Sequence, residues 1–165
     1  MAAQKIVIGS DHAGFAYKQI LLQQFSSNSL EFTDIGAHDE SPSDYPDIAG
    51  KLALEIQSGR FDKGILICGS GVGVSVAANK FRGVRAGVCH DTYSAHQGVE
   101  HDDMNVLCIG QRIIGIELAL EIVRTFLAAG FSGEERHSRR LEKVLRIEQE
   151  QMGGVKEGGI GESRN

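Results

Sequence analysis

The sequence predicts an α/β domain, a three-layer αβα sandwich built on a five-stranded, mostly parallel sheet. Short β-branched runs alternate with longer amphipathic stretches along most of the chain. Several of those runs are continuously apolar, as strands are when both faces are covered. At 165 residues the chain is the length of one domain and can bury a real core.

The five strand candidates are "KIVIG" (5–9), "EFTDI" (31–35), "GILIC" (64–68), "VRAGVC" (84–89) and "NVLCIG" (105–110). Helical spacing joins Ile48, Leu52 and Ile56, and again Ile114, Leu118, Ile122 and Phe126. A final helix runs from about Gly133 to Gln151, with Leu141, Val144 and Leu145 on its packed side. The expected domain is 1–151. Residues 152–165, "MGGVKEGGIGESRN", form a glycine-rich tail with almost no apolar content, which reads as disordered.

The composition excludes several function classes. A formal charge of −5 is the wrong sign for a nucleic-acid surface. No apolar run reaches membrane-spanning length, and "MAAQKIVIGS" enters a strand without a signal peptide. Cys68, Cys89 and Cys108 are an odd count, each at or near the end of an apolar run. That pattern fits reduced thiols in the cytoplasm rather than a disulfide framework.

Parallel α/β sheets bind ligands beyond the carboxyl ends of their strands. That rule selects "SDHAG" (10–14), "GAHDESPSDYP" (36–46), "GSGVGVS" (69–75), "HDTYSAH" (90–96) and "QRIIG" (111–115). Gly69, Gly71 and Gly73 precede a helix whose amides are expected to begin near Val74. Free amides without side chains in the way suit a phosphate or a developing enolate oxygen, though a tight turn uses glycine equally well. The loop is neither a dinucleotide fingerprint, since position 74 is Val74, nor a Walker loop, since Gly-Lys-Ser/Thr is absent. Cys68 stands just before that helix, where dipole and amides favour a thiolate able to act as nucleophile or base. Cys89 and Cys108 have no such loop behind them and read as core.

Asp11 and His12 follow the first strand, where an aspartate helix cap is the plain reading and a grip on sugar hydroxyls the functional one. "EHDDMN" sets His101, Asp102 and Asp103 before the last strand, with His90, Asp91 and His96 near in sequence. Their spacing matches no zinc signature, so no metal is expected. Arg136 and Arg140, one helical turn apart in "ERHSRRLEK", form a pair of forks suited to a phosphate. Arg112 after the fifth strand can reach the same edge or a neighbouring subunit.

Taken together, "SDHAGF", "DYPD", "GILICGSGVGVSVAANKF.GVRA", "NVLCIGQRIIG" and "RH..R" resemble the type B ribose-5-phosphate isomerases, a family that includes allose- and galactose-6-phosphate isomerases. The resemblance runs from about Lys5 to Gln149, and the long central block is its most specific part. It implies a Rossmann-like sheet and interconversion of D-ribose 5-phosphate and D-ribulose 5-phosphate through ring opening and an enediolate, with no cofactor. It implies that Cys68 moves the proton between C1 and C2, that Ser70 assists on the substrate oxygens, and that His101 with Asp11 opens the furanose. The amides of Gly69, Ser70, Gly71, Val72, Gly73, Val74 and Ser75 would hold the enediolate oxygen. His12, Arg136 and Arg140 would hold the phosphate, with Arg112 contributed across a dimer interface, and Tyr45 would line the sugar pocket. Relatives commonly read His-Asn where this chain reads His101-Asp102, and an ionised carboxylate can only accept a hydrogen bond. The implied partners are the phosphorylated sugar and a second copy in a homodimer with interfacial sites; whether dimers pair into tetramers stays open.

Three rivals stand beside this reading. A six-carbon phosphate such as allose 6-phosphate would need only a deeper pocket. A non-catalytic nucleotide-binding module would bind nucleotide and tolerate Cys68→Ser. A metal-dependent hydrolase using His90, His96 and His101 would lose activity to a chelator.

Overall fold

The computed structural model describes residues 3–27 and 29–153. The glycine-rich tail therefore lies, beyond Gly153, outside the described residues. Five strands, β1 (Gln4–Ser10), β2 (Leu30–Asp34), β3 (Lys63–Cys68), β4 (Ala86–Val88) and β5 (Val106–Gly110), make one parallel sheet in the order β2-β1-β3-β5-β4. Six helices connect and follow them: α1 (Phe15–Phe25), α2 (Tyr45–Gln57), α3 (Val72–Ala78), α4 (Thr92–Asp102), α5 (Ile116–Ala128) and α6 (Glu135–Met152).

Alternation along the strands divides the core into two layers. Ile6, Ile8, Ile65, Ile67, Leu107 and Ile109 face one side, against Leu21 of α1, Val99 of α4, and Ile122 and Phe126 of α5. Val7, Leu66, Cys68, Val106 and Cys108 face the other, against Ile48 and Leu52 of α2 and Val74 and Ala78 of α3. Every residue of β3 is buried, which is why "GILIC" reads as an unbroken apolar run. Removing a side chain of that size from water contributes roughly 1.5–3 kcal/mol. These are the three layers the sequence predicts.

Several local expectations need correction. β4 covers only 86–88 of the expected 84–89, because Arg85 turns its side chain to Asp103 and takes the Asn105 side chain on its own amide. The helix expected to carry Ile114 starts at Ile116, and Leu118 is 37% exposed; Ala119, Ile122, Val123, Phe126 and Leu127 make its buried face. On α6 the side expected to be packed is largely open: Val144 is 51% and Leu145 39% exposed, and only His137 is buried.

Strand order places the site. β1 and β3 are neighbours, yet their following connections lead to opposite faces of the sheet, which opens a crevice at their carboxyl ends. Asp11, just after β1, is tied to the end of β3 there: its amide donates to the Ile67 carbonyl, next to Cys68, at 3.3 Å.

Candidate active site

Cys68 ends β3 and is 4% exposed. Its Sγ accepts the Gly71 amide at 3.0 Å. Helix α3 starts at Val72, two residues earlier than expected, because Gly71 caps it in the left-handed conformation at φ 79°. A Cβ at Gly71 would stand 3.0 Å from the Ile109 carbonyl carbon, so only glycine lets the loop lie against β5. The backbone is pinned from that side too: the Gln111 amide donates to Cys68 O at 2.9 Å and the Arg112 amide to Gly69 O at 3.0 Å.

Side chains then close over the loop. Arg112 lies above Gly69, its Nη1 3.2 Å from where a Cβ would be, and makes no salt bridge among the described residues. Within this chain it covers its own glycine loop. The Tyr45 ring fills the space a Gly73 side chain would take, at 2.9 Å, and remains 41% exposed. Gly73 is thus explained by the tyrosine. Ser70 is exposed and its Oγ accepts the Val72 amide at 3.2 Å. Val74 is buried in the core beside Cys68, and Ser75 starts the second turn of α3.

The β1 side supplies Asp11 and His12. The Asp11 carboxylate is nearly buried and accepts the Gly14 amide at 3.1 Å, capping a short 3-10 turn (His12–Gly14), the plain reading of that residue. The His12 amide donates to Ser43 Oγ at 3.0 Å, and its Nδ1 sits 3.2 Å from the Ser43 backbone. That ties the 36–46 loop, which carries Tyr45, to the end of β1.

Cys68, the loop 69–75, Asp11, His12, Tyr45 and Arg112 therefore form one cluster. His101, Asp102, Arg136 and Arg140 form another, elsewhere. α4 runs back from the carboxyl end of β4 to the amino end of β5, so His101 and Asp102 lie at the sheet edge opposite Cys68. α5 runs back in the same sense, and its end is held there by Lys63, the first residue of β3, whose Nζ donates to the carbonyls of Phe126, Leu127 and Ala129. Between the edges β5 spans five residues, roughly 15 Å at about 3.3 Å each.

The second cluster is built around two imidazoles. His101 and His137 stack with ring centroids 3.9 Å apart. His101 Nδ1 lies 3.0 Å from Gln97 Nε2, and His137 Nδ1 2.7 Å from Ser132 Oγ. Burial, then the neighbouring His101 and Arg136, hold the His137 pKa below its ordinary value. Arg136 pairs with Glu134 at the surface, whereas Arg140 makes no salt bridge among the described residues. His137 is the residue sequence reasoning missed. Its spacing to Leu141 and Glu148, both half-buried, sets it on the side of α6 that faces the domain.

The remaining thiols are core, and His90 is half-buried, whereas His38 and His96 are exposed. Burial pushes Cys89 up to about 11 and Cys108 higher still. His90 is held below its ordinary pKa by burial, and its Nε2 accepts the Gly110 amide at 2.9 Å. Among the described residues, no group of three or more His, Cys, Asp or Glu could hold a metal ion, and no helix is long and apolar enough to cross a membrane.

Comparison with known proteins gives a consistent picture. A family model described as Ribose/Galactose Isomerase matches residues 6–144. Ribose-5-phosphate isomerase B of Escherichia coli is 44% identical over 146 residues, covering 88% of this chain and 97% of that protein. D-erythrulose-4-phosphate isomerase 2 of Mycolicibacterium smegmatis is 37% identical over 150 residues, covering 88% and 98%. Ribose-5-phosphate isomerase B from Mycoplasma genitalium, solved with bound ribulose-5-phosphate, superposes with a TM-score of 0.84 at 38% identity, covering 91% and 99%.

Proposed function

This chain belongs to the ribose/galactose isomerase family, and on that premise we propose how its residues carry out aldose–ketose isomerisation. It interconverts D-ribose 5-phosphate and D-ribulose 5-phosphate. The observation that carries the reading is the Gly71 amide on Cys68 Sγ at 3.0 Å, at the start of a helix in the crevice between β1 and β3. That contact sets a fixed hydrogen-bond donor on the sulfur that would take the substrate proton.

Ring opening comes first. The C1–O4 bond breaks, O4 takes a proton from His101, and the C1 hydroxyl gives its proton to Asp11. In the open aldose the Cys68 thiolate removes the C2 proton and returns it to C1. Ser70 passes a proton from the C2 hydroxyl to the C1 oxygen, leaving the ketose. The enediolate between these steps carries negative charge that the Gly73 and Val74 amides in the first turn of α3 can meet, whereas the amides of Gly71, Val72 and Ser75 are already taken by Cys68 Sγ, Ser70 Oγ and Gly71 O. Fixed donors of this kind are worth roughly 3–4 kcal/mol when one is removed. His12, Arg112, Arg136 and Arg140 bind the phosphate, and that remote binding energy holds C1 and C2 against the sulfur. Tyr45 lines the sugar pocket.

His101, Arg136 and Arg140 lie at the opposite sheet edge from Cys68, so one chain cannot assemble this set. A homodimer with each site shared between subunits can, and the open apolar face of α6, with Val144, Leu145 and Ile147 exposed, supports such an interface. Three unpaired thiols fit a cytoplasmic setting.

The test is turnover of ribose 5-phosphate, in parallel with allose 6-phosphate and D-erythrulose 4-phosphate, by wild type and Cys68→Ala. Turnover of ribose 5-phosphate that falls by about 10²–10⁴-fold in a mutant that still binds substrate supports the reading. Equal rates would remove Cys68 from the chemistry. Preference for another chain length would reassign the substrate.

A further inference from the structure

We propose that Gln97 is a positioning residue that holds His101 in one tautomer, with the proton on Nε2 and the lone pair on Nδ1. The inference rests on the reading of His101 as the group that opens the sugar ring, and adds which nitrogen faces the substrate and in what state.

The argument begins with a carboxamide that has two neighbours. Gln97 and His101 are one turn apart on α4, and the Gln97 amide nitrogen lies 3.0 Å from His101 Nδ1. The same nitrogen lies 3.4 Å from Asp102 Oδ2. An amide nitrogen has two hydrogens and no lone pair to offer, so both neighbours must accept. An amide of glutamine can turn over and present its oxygen instead. Here that would set a carbonyl oxygen against a carboxylate, so Asp102 fixes which end of Gln97 points inward. The nitrogen facing His101 then leaves Nδ1 no option except acceptance.

Two further contacts agree. The Glu100 carboxylate lies 3.6 Å from His101 Nε2, beyond hydrogen-bond reach yet with its negative charge beside the nitrogen assigned the proton, and also 3.4 Å from His96 Nδ1. The face of His101 is covered by the stacked His137 ring, with Arg136 at the next position and Arg140 acting on His137 from the same helix. The groups facing His101 are thus Gln97, Glu100, Asp102 and His137, and the Gln97 donor on Nδ1 leaves Nε2 as the nitrogen that carries the proton.

The consequence is a division of labour. With Nδ1 held as acceptor, Nε2–H donates to the ring oxygen O4 as its bond to C1 breaks, because the alkoxide forming there is a far stronger base than the intact ether. It cannot accept the C1 hydroxyl proton, so that proton goes to Asp11. Asp102, standing where relatives commonly have asparagine, then acts through Gln97 rather than on the sugar.

The experiment is long-range proton–nitrogen NMR on the full chain labelled with ¹⁵N-histidine, His101 being assigned from the signals lost in His101→Asn. Wild type should show a protonated Nε2 and a bare Nδ1. Gln97→Glu replaces the donor with an acceptor and should move the proton to Nδ1, while Gln97→Met should leave a mixture. In turnover of ribose 5-phosphate, Gln97→Glu should lose between about 10- and 100-fold. The isotope effect of C2-deuterated substrate should shrink as ring opening becomes limiting. A wild-type spectrum with Nδ1 protonated, or one that Gln97→Glu leaves unchanged, overturns the proposal. Absence of turnover in wild type would instead overturn the isomerase reading, with the tautomer still decided by the spectrum.

Discussion

Replacing Gly71 by alanine should damage this protein more than the same change at Gly83, although both glycines have φ 79°. The shared backbone cost of placing a Cβ in the left-handed region is roughly 1–2 kcal/mol. At Gly83 nothing lies within 4 Å of the new methyl, so that cost is the whole effect. At Gly71 the methyl would sit 3.0 Å from the Ile109 carbonyl carbon and 3.1 Å from the Gly110 nitrogen. Those atoms belong to β5, which is locked between β3 and β4, so the strand cannot step aside. Overpacking against such a wall adds roughly 1–3 kcal/mol. Gly71→Ala should therefore lose about 2–5 kcal/mol and Gly83→Ala about 1–2 kcal/mol. Urea unfolding followed by circular dichroism at one protein concentration measures both. Ribose 5-phosphate turnover of whatever Gly71→Ala remains folded should also fall, since the Gly71 amide is drawn off Cys68 Sγ. Equal destabilisation of the two variants would refute the claim that the glycine loop is braced on β5.

Other consequences concern buried charge and buried sulfur. Lys18 is fully buried against Asp34, which is 24% exposed, at 2.5 Å. Asp34→Asn strands the buried ammonium and should cost about 3–5 kcal/mol, whereas Lys18→Met leaves a carboxylate that water can reach and should cost less; the reverse order in urea unfolding would contradict this. Burial holds Lys63 down at about 8 against 10.5, so the folded state binds fewer protons than the unfolded one between those values. Its contribution to stability should accordingly rise as pH goes from 8 to 10.5, and the gap between wild type and Lys63→Met should widen in favour of wild type over that window. A gap that stays flat or narrows would show that Lys63 titrates normally. Because burial raises Cys89 and Cys108, iodoacetamide at pH 8 should modify native protein at Cys68 alone, and ribose 5-phosphate should slow it; mass spectrometry finding Cys89 or Cys108 alkylated first would count against the assignment.

What could be read beforehand follows from which forces are local. β3 and β5 are buried on both faces, and that alone writes two five-residue apolar runs into the sequence. β4 is three residues long and partly exposed, so its ends depend on Arg85 choosing Asp103 and Asn105, which no local pattern encodes. The start of α3 shifted because one glycine took a positive φ, a fact set by contact with β5. The carboxyl-edge half of the site was legible from strand ends. The position of His101 was also implicit: a residue closing the helix before a parallel strand must lie at the amino edge. His137 was missed because a histidine beside three arginines looks like a solvated face until its helical stripe is drawn. Leu141, Val144 and Leu145 show the limit of periodicity, which finds an apolar face and does not say whether the same chain covers it.

The most direct measurement of the account mixes two inactive variants, Cys68→Ala and His101→Ala, by joint refolding at equal concentration and assays ribose 5-phosphate. If each site takes Cys68 from one subunit and His101 from the other, a mixed dimer has one site with both residues and one with neither. About half of the dimers would be mixed, restoring about a quarter of wild-type activity. A mixture as inactive as its parents would contradict the shared site.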